Sequence, residues 1–225
     1  MAKKEKLEGI EIIESPEALQ EEFNKVTGLV EKNKSSLIGI GVAVVAIIAA
    51  AFGYKYYTSS QDAEGEKKLF KAVYAFENDS LSTAVKDLSK ISDEFGGNTQ
   101  NLADLYLGIT FLKQGKFDQA IEKLKNFSST DLLVQARAYS LIGDAYSEKK
   151  SYTEAIEYYQ KAADYKANKF FTPTYLLKLA TAYESNKQSK EALDVYTQIT
   201  EKFPQSSESI PAKKYKAQLE SSISE

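Results

Sequence analysis

The chain has 225 residues and contains no cysteine, no histidine and no tryptophan. Without cysteine it forms no disulfide, carries no thiolate nucleophile and offers no cysteine for a lipid anchor. Without histidine it lacks the commonest general base and metal ligand near neutral pH. Phosphate-binding loops, nucleophile elbows and glycine-rich dinucleotide fingerprints are missing as well. These absences predict a protein that is not an enzyme and that has neither a cofactor nor a metal site.

A strong excess of one charge is also lacking, since 29 Lys and Arg stand against 32 Asp and Glu. The two signs are interspersed, whereas nucleic-acid-binding proteins concentrate basic residues on one surface. We therefore expect no nucleic-acid partner, and no motif points to a small-molecule substrate. Aromatic residues are plentiful, with 15 Tyr and 11 Phe. They supply ample apolar surface for a packed core.

One long hydrophobic run is present, at Leu37–Tyr54, and it lies between Lys34 and Lys55. It contains no charged residue, and as a helix it is about 27 Å long, close to the thickness of a bilayer's hydrocarbon core. Tyrosines follow at its C-terminal end, where an aromatic belt is expected. The run predicts a transmembrane helix that tethers everything after it.

A cleaved signal peptide is the alternative interpretation of this run, and the small residues Ala49-Ala50-Ala51 keep it open. Signal peptides have a short basic leader and a shorter apolar core, whereas the preceding segment here is long and acidic. An uncleaved anchor is therefore expected. Lysines flank both ends almost equally, but Lys32 and Lys34 lie nearer the run than Lys67 and Lys68. The positive-inside rule then favours a cytoplasmic N-terminus.

Two further patterns lie in the N-terminal part. Ser15-Pro16-Glu17 has the residues of a helix start, and an apolar stripe follows it. The stripe consists of Leu19, Phe23, Val26 and Val30. We expect an amphipathic helix that lies on the membrane or on a partner, or one with no specific partner.

Within the run, small residues form a seam that permits close packing against another membrane helix. The seam consists of Gly39, Ala43, Ala46, Ala50 and Gly53; chance composition is the alternative.

The rest of the chain repeats itself. Small residues recur in pairs twelve positions apart: Ala72 with Ala84, Gly108 with Ala120, Gly143 with Ala155 and Ala180 with Ala192. Three residues after the first small residue stand Ala75, Phe111, Tyr146 and Tyr183, and four after the second stand Leu88, Leu124, Tyr159 and Tyr196. The second small residues are 36, 35 and 37 positions apart, a period typical of helical-repeat arrays. We number these units repeats 1 to 4.

Each repeat is predicted to be a helix, a tight turn and a second helix. Turns are expected at Gln114-Gly115-Lys116, Lys149-Lys150-Ser151 and Asn186-Lys187-Gln188. The pattern resembles the tetratricopeptide repeat (TPR) family, although repeat 1 departs from it with Ala75 and without a turn glycine. The predicted fold class is all-α, with an N-terminal transmembrane helix, a TPR solenoid and a capping helix. The units exceed the family's usual length, so lengthened loops are expected, for example at residues 96–99.

The sequence divides accordingly. Residues 1–36 form a cytoplasmic segment with the amphipathic helix, 37–54 the transmembrane helix, 55–61 a juxtamembrane linker, 62–204 the TPR domain, and 205–225 a capping helix and tail. In the cap, Ile210, Tyr215 and Leu219 are expected on one face.

The TPR resemblance implies that the first helix of each repeat lines a concave surface. Apolar positions carried over from the family are Leu69, Val73, Phe76, Leu102, Leu105, Ile109 and Leu112. The later positions are mostly polar: Arg137, Ser140, Asp144, Ser147, Thr174, Leu177, Thr181 and Glu184. An exposed patch of seven apolar side chains would need a partner, unless another segment or a curved superhelix covers it. Only Arg137 is basic, so the clamp with which some TPR proteins grip acidic chain ends is absent.

The order of tail, span and TPR domain resembles the ancillary subunit of the bacterial Sec translocon, the YfgM family. That resemblance implies an inner-membrane protein with a periplasmic TPR domain. It also implies two partners, the SecYEG channel and a membrane-anchored prolyl-isomerase-like chaperone. Two alternatives remain: a scaffold of another envelope secretion or motility complex, and an organelle-membrane adaptor whose TPR domain faces the cytosol.

Overall fold

The structure is a computed structural model. It describes the backbone at residues 20, 23, 24, 27 and 34–223, and the side chains of these residues except at 36–38, 40, 41, 54–62 and 223. All regular secondary structure in this part of the chain is helical. The contacts divide the chain into two compact units, Met1–Ser59 and Ser60–Glu225.

The helices are numbered here in chain order. They are α1 (Lys34–Glu77), α2 (Leu81–Glu94), α3 (Gly97–Lys113), α4 (Phe117–Asn126), α5 (Leu132–Glu148), α6 (Tyr152–Asp164), α7 (Thr172–Ser185), α8 (Ser189–Lys202) and α9 (Ser209–Ile223). The end of α1 pairs with α2 in repeat 1, and repeats 2, 3 and 4 are α3 with α4, α5 with α6 and α7 with α8. The predicted linker 55–61 lies within α1 and is helical.

In the first unit, the described part of α1 presents apolar side chains to its surroundings. All residues from 42 to 53 are exposed, among them Val45, Ile47 and Phe52. Among the residues that the structure describes, no helix combines the length and the apolar character needed to cross a membrane. The side chains of Leu37 and Tyr54, and most of the predicted amphipathic stripe, lie outside the described residues.

The four tight turns share one backbone geometry. Asp79, Gly115, Lys150 and Lys187 occupy equivalent positions with φ of 56°, 70°, 59° and 61°. In the second turn, the amide of Lys116 donates to the Phe111 carbonyl (2.9 Å) and that of Gly115 to the Leu112 carbonyl (3.0 Å). This pair of bonds is the Schellman motif, which satisfies the last carbonyls of the first helix. Repeat 1 thus has the same turn without glycine.

Close approach of the paired helices depends on the small residues, as the sequence predicts. A Cβ added to Gly108 would lie 2.5 Å from Leu124 Cγ, and one added to Gly143 would lie 2.7 Å from the Tyr159 ring. Ala72 and Ala180 occupy the same position in repeats 1 and 4, and both are fully buried. The backbones approach because these positions carry little or no side chain.

The core of the second unit consists of three successive clusters, one where repeats 1 and 2 meet, one between repeats 2 and 3, and one that joins repeats 3 and 4 to α9. In α9, Ala212 is fully buried, and the ring of Tyr215 lies 5.7 Å from that of Tyr196. Leu219 packs against the same cluster. Ile210 does not share this face, since 76% of it is exposed. The expected apolar stripe of the cap therefore holds for Tyr215 and Leu219 only.

The expectation of a lengthened loop at residues 96–99 is wrong. Helix α3 already begins at Gly97, so only Phe95 and Gly96 separate it from α2. Thr99 is 2% exposed, and its Cγ2 lies close enough to Gly65 that an added Cβ there would meet it at 2.8 Å. Thr99 is buried against α1, and this packing explains why residues 97–99 are helical. It outweighs the low helix propensity of Gly97.

Candidate functional site: a groove across three helices

A groove of about 390 Å³ crosses the first helices of repeats 1, 2 and 3. We call it the three-helix groove, and its lining consists of Phe76 and Glu77 from α1, Leu105, Tyr106 and Ile109 from α3, and Leu133, Val134 and Arg137 from α5. It runs from the C-terminal end of α1, over the middle of α3, to the first turns of α5. The lining is aliphatic and aromatic except for one residue of each charge.

The wall formed by α1 and α3 is held by aromatic and cationic contacts. The rings of Phe76 and Tyr106 meet edge to face, with their centres 5.7 Å apart. Lys113 Nζ lies 4.8 Å from the centre of the Phe76 ring and 3.3 Å from Asp79 Oδ1. Edge-to-face rings and a cation over a ring face both stabilise such contacts. The Phe76 ring is therefore fixed in the wall although it is partly exposed.

The opposite wall is the start of α5, which Asp131 caps. Asp131 Oδ1 accepts hydrogen bonds from the amides of Leu133 (2.8 Å) and Val134 (3.1 Å). Such a cap satisfies amides that have no partner within the helix and fixes its first turn. The side-chain oxygen of Gln135 also accepts from the Ser129 amide at 2.6 Å. These bonds hold Leu133, which is 42% exposed, at the edge of the groove.

The structure separates the seven apolar residues that the sequence assigns to the concave surface. Phe76, Leu105 and Ile109 line the three-helix groove. Leu69 and Leu105 are buried, with 7% and 8% of their surface exposed. The other five are partly buried against the two core clusters of repeats 1 to 3: Val73, Phe76, Leu102, Ile109 and Leu112. Neighbouring side chains thus cover much of the expected patch, and the open part is smaller and centred on α3.

Four lining residues were not found by sequence reasoning: Glu77, Tyr106, Leu133 and Val134. The latter two belong to the apolar run Leu132-Leu133-Val134, which directly follows the capping Asp131. An apolar run in a first helical turn is a usable signal, because only part of it can face the core of its own hairpin.

The polar part of the predicted concave surface is occupied by bonds within the protein. Tyr159 Oη donates to Asp144 Oδ1 at 2.7 Å, and Lys178 Nζ lies 2.7 and 2.8 Å from the two Asp144 oxygens. Lys178 Nζ also lies 3.2 Å from Ser140 Oγ. In repeat 4 the hydroxyl of Tyr196 donates to Glu184. These two carboxylates are thus already paired within the protein.

The two tyrosine hydroxyls stay protonated. Burial raises the pKa of Tyr159, and the adjacent Asp144 carboxylate raises it further. Burial also raises the pKa of Tyr196, with Glu184 acting in the same direction. Both hydroxyls are therefore donors to acids over the whole physiological range. In the described part of the chain, no group of three or more acidic side chains could hold a metal ion.

The small-residue seam is exposed along its length in the first unit. A Cβ added to Gly39 or to Gly53 would meet no atom within 4 Å. Added volume would therefore disturb no contact that the structure describes, and the seam's role in packing against another helix stays a prediction.

Comparison with known proteins shows what the repeats are. Residues 105–169 and residues 174–206 match models of the tetratricopeptide repeat family. No curated protein matches the chain by sequence. The chain therefore contains tetratricopeptide repeats over repeats 2 to 4. Repeat 1, which has Ala75 where the other repeats have an aromatic residue, lies outside the matched segments but forms the same hairpin.

Solved structures share this fold. A putative kinesin light chain of Podosopora anserina with nearly identical TPR-like repeats is 16% identical, with 68% of this chain and 84% of that chain covered and a TM-score of 0.54. MamA is 21% identical, with 68% of this chain and 96% of that chain covered and a TM-score of 0.50. These likenesses concern the fold, and they establish the second unit as a TPR-like helical solenoid.

Proposed function

We propose that the protein is a non-catalytic scaffold that binds a protein partner in the three-helix groove. TPR solenoids in general act as interaction surfaces, which supports this proposal. The observation that carries it is the groove itself, an apolar depression on the first helices of three repeats with no segment of the described chain over it. Burial of apolar partner side chains against Leu105 and Ile109 supplies the driving force, at about 25 cal/mol per Å².

Site-specific photo-cross-linking tests this proposal. A photoreactive side chain at Ile109 in the full chain should yield adducts with a partner in intact membranes. The same group at Lys86, which is exposed on the second helix of repeat 1, is the matched control. Equal adduct patterns from both positions would exclude the groove as the docking site.

We propose further that Leu37–Tyr54 anchors the scaffold in a membrane. The uncharged run and the exposed apolar side chains of residues 42–53 support this anchor. Transfer of such side chains into hydrocarbon is favourable, and a helix satisfies its backbone groups internally. Resistance of the full chain to extraction with alkaline carbonate is the expected result. Release into the supernatant would exclude a spanning helix.

The proposed location is the bacterial inner membrane, with the N-terminus in the cytoplasm and the TPR domain in the periplasm. The lysines next to the run and the resemblance to the YfgM family support it. Protease added to spheroplasts should digest the TPR domain and leave the N-terminal segment protected. A fully protected TPR domain would instead favour the cytosol-facing adaptor.

The proposed partners are the SecYEG channel and a membrane-anchored prolyl-isomerase-like chaperone that assists exported proteins. The shared order of acidic tail, single span and TPR domain supports this role. Ala43→Leu with Ala46→Leu should lower co-purification with the channel, since both add bulk on the seam. Val44→Leu with Ala51→Leu adds bulk off the seam and is the control. Unchanged recovery of the channel in the seam variant would reject the seam as the contact.

A further inference from the structure

The three-helix groove has a charged side chain at each end. Glu77 lies at the end formed by α1, and Arg137, the only arginine of the chain, lies at the end formed by α5. Both side chains are exposed, and neither has an ion pair among the described residues. The nearby Lys113, by contrast, is paired with Asp79 at 3.3 Å. Among the residues that the structure describes, the groove therefore presents one carboxylate and one guanidinium that make no ion pair.

Between these two charges the lining is apolar. Leu105 is 8% exposed and lies deepest, Ile109 lies beside it, and Leu133 with Val134 forms the wall on the Arg137 side. Apolar residues of a bound segment would gain affinity from this part of the groove. Ion pairs at the two ends would instead select among apolar segments, because charge complementarity governs specificity and like charges repel.

The two charged groups recognise different chemistry. A guanidinium offers a planar pair of donors that matches a carboxylate in a bidentate arrangement, and a flanking apolar surface strengthens the pair by excluding water. The Glu77 carboxylate in turn accepts from an ammonium or guanidinium. A segment with two acids would meet repulsion from Glu77, and one with two bases would meet repulsion from Arg137.

We propose that the three-helix groove binds a peptide segment of bipolar chemistry, in which a short apolar core is flanked by one basic residue and one acidic residue. The basic residue pairs with Glu77, the acidic residue pairs with Arg137, and the apolar core covers Leu105 and Ile109. This inference deepens the proposed scaffold function and rests on it. It differs from an acidic-tail clamp, which needs several cations, since the groove lining contains one.

Titration of labelled peptides into the full chain in detergent micelles tests this inference. The probes have capped termini and two to five apolar residues between their outer residues. One series has Lys and Asp at the two outer positions, one has Gln and Asn, one has two Lys, and one has two Asp. We expect the bipolar series to bind about tenfold more tightly than the neutral one, which corresponds to about 1.4 kcal/mol.

Charge reversal then exchanges the preference. Arg137→Glu makes both ends acidic, so the series with two Lys should bind best. Glu77→Lys makes both ends basic, so the series with two Asp should bind best. Lys86→Glu reverses a charge outside the groove and should leave the wild-type order unchanged. All three positions are exposed, and an unchanged far-ultraviolet circular dichroism spectrum verifies folding.

The outcomes separate this inference from the scaffold proposal. If all series bind the wild type equally and Ile109→Gln weakens them all, the groove binds peptides without charge selection, and the bipolar inference is overturned while the scaffold proposal stands. If no series binds, both are overturned. If the wild type self-associates and the association excludes peptides, a second copy occupies the groove and the inference is likewise wrong.

Discussion

Repeats 1 and 2 fill the space between their paired helices with leucine, whereas repeats 3 and 4 fill it with tyrosine. Leu88 and Leu124 occupy this position in the first two repeats, and Tyr159 and Tyr196 occupy it in the last two. All four side chains are buried, and the backbone turns are alike. The hairpin therefore tolerates either side chain, as long as a small residue faces it.

The neighbouring positions change together with this residue. The positions one and four after the first small residue hold Val73 and Phe76, then Ile109 and Leu112, then Asp144 and Ser147, and finally Thr181 and Glu184. Each buried tyrosine hydroxyl thus has an acid and a hydroxyl nearby, but the acid stands at the first position in repeat 3 and at the second in repeat 4. The first helices of the leucine repeats are thus apolar at these positions, and those of the tyrosine repeats are polar.

Leu124→Ala should have the largest effect on stability. Leu124 is 1% exposed and lies directly against Gly108, and because glycine has no side chain to relax into the space, a cavity remains. We expect a loss of about 2–5 kcal/mol in the free energy of unfolding. Urea unfolding of the full chain, followed by circular dichroism, measures it. Leu133→Ala makes the same change at an exposed site; a loss there as large as at Leu124 would contradict this account.

Asp144→Ala should lower the free energy of unfolding by less than Leu124→Ala does. It should remove the polar contacts of repeat 3 and leave the leucine-filled repeats unaffected. The buried Tyr159 hydroxyl loses its acceptor, and Lys178 loses its carboxylate. We expect a loss of about 1–3 kcal/mol, the usual cost of an unsatisfied buried donor. Adding Tyr159→Phe removes that donor, so the double variant should lose less than the sum of the single variants. Strict additivity in the same urea measurement would show that the bond does not stabilise repeat 3.

The buried tyrosines of repeats 3 and 4 should make the free energy of unfolding depend on pH, whereas the leucines of repeats 1 and 2 should not. The pKa of Tyr159 and that of Tyr196 are raised in the folded state, chiefly by burial. Their contribution is fully present below the unfolded tyrosine pKa of about 10 and is lost as pH rises beyond it, by about 1.4 kcal/mol per pH unit for each residue. Tyr159→Phe with Tyr196→Phe should therefore lose stability more slowly than the wild type between about pH 10 and 11. Parallel curves for the two proteins would refute this assignment.

The repeat architecture was predictable because it depends on residues that only one geometry accommodates. Ala72, Gly108, Gly143 and Ala180 must be small where helices touch, and the sequence shows them at a regular period. The groove was only partly predictable. The family's inward positions identify Phe76, Leu105 and Ile109, but they do not reveal that Leu69 is buried by its neighbours. Burial depends on how one repeat rotates against the next, and no local pattern encodes that rotation.

The turn of repeat 1 was predicted with its repeat, but its residues were not identified, for a related reason. A turn glycine is a strong signal, but the left-handed position accepts Asp79, Lys150 and Lys187 when the Schellman hydrogen bonds compensate for the steric cost. The absence of glycine therefore says little about the absence of a turn. The predicted loop at residues 96–99 was wrong for the opposite reason. Its composition suggests a loop, but Thr99 is buried and the segment is helical from Gly97.

Substitutions in the tight turns should have the smallest effect on stability. They compare repeat 2, which has glycine at the left-handed position, with the repeats that have another residue there. Gly115 has φ of 70° and Lys150 has φ of 59°, both in the left-handed region that glycine enters most easily. Gly115→Ala should cost about 1 kcal/mol, and Lys150→Gly should stabilise by about 0.5–1 kcal/mol. Gly96→Ala, at an exposed glycine with φ of −116°, is the control and should not destabilise. If Lys150→Gly lowers the urea midpoint, the entropy that glycine adds to the unfolded chain outweighs the relief of strain, and the turns of repeats 2 and 3 are equivalent in energy.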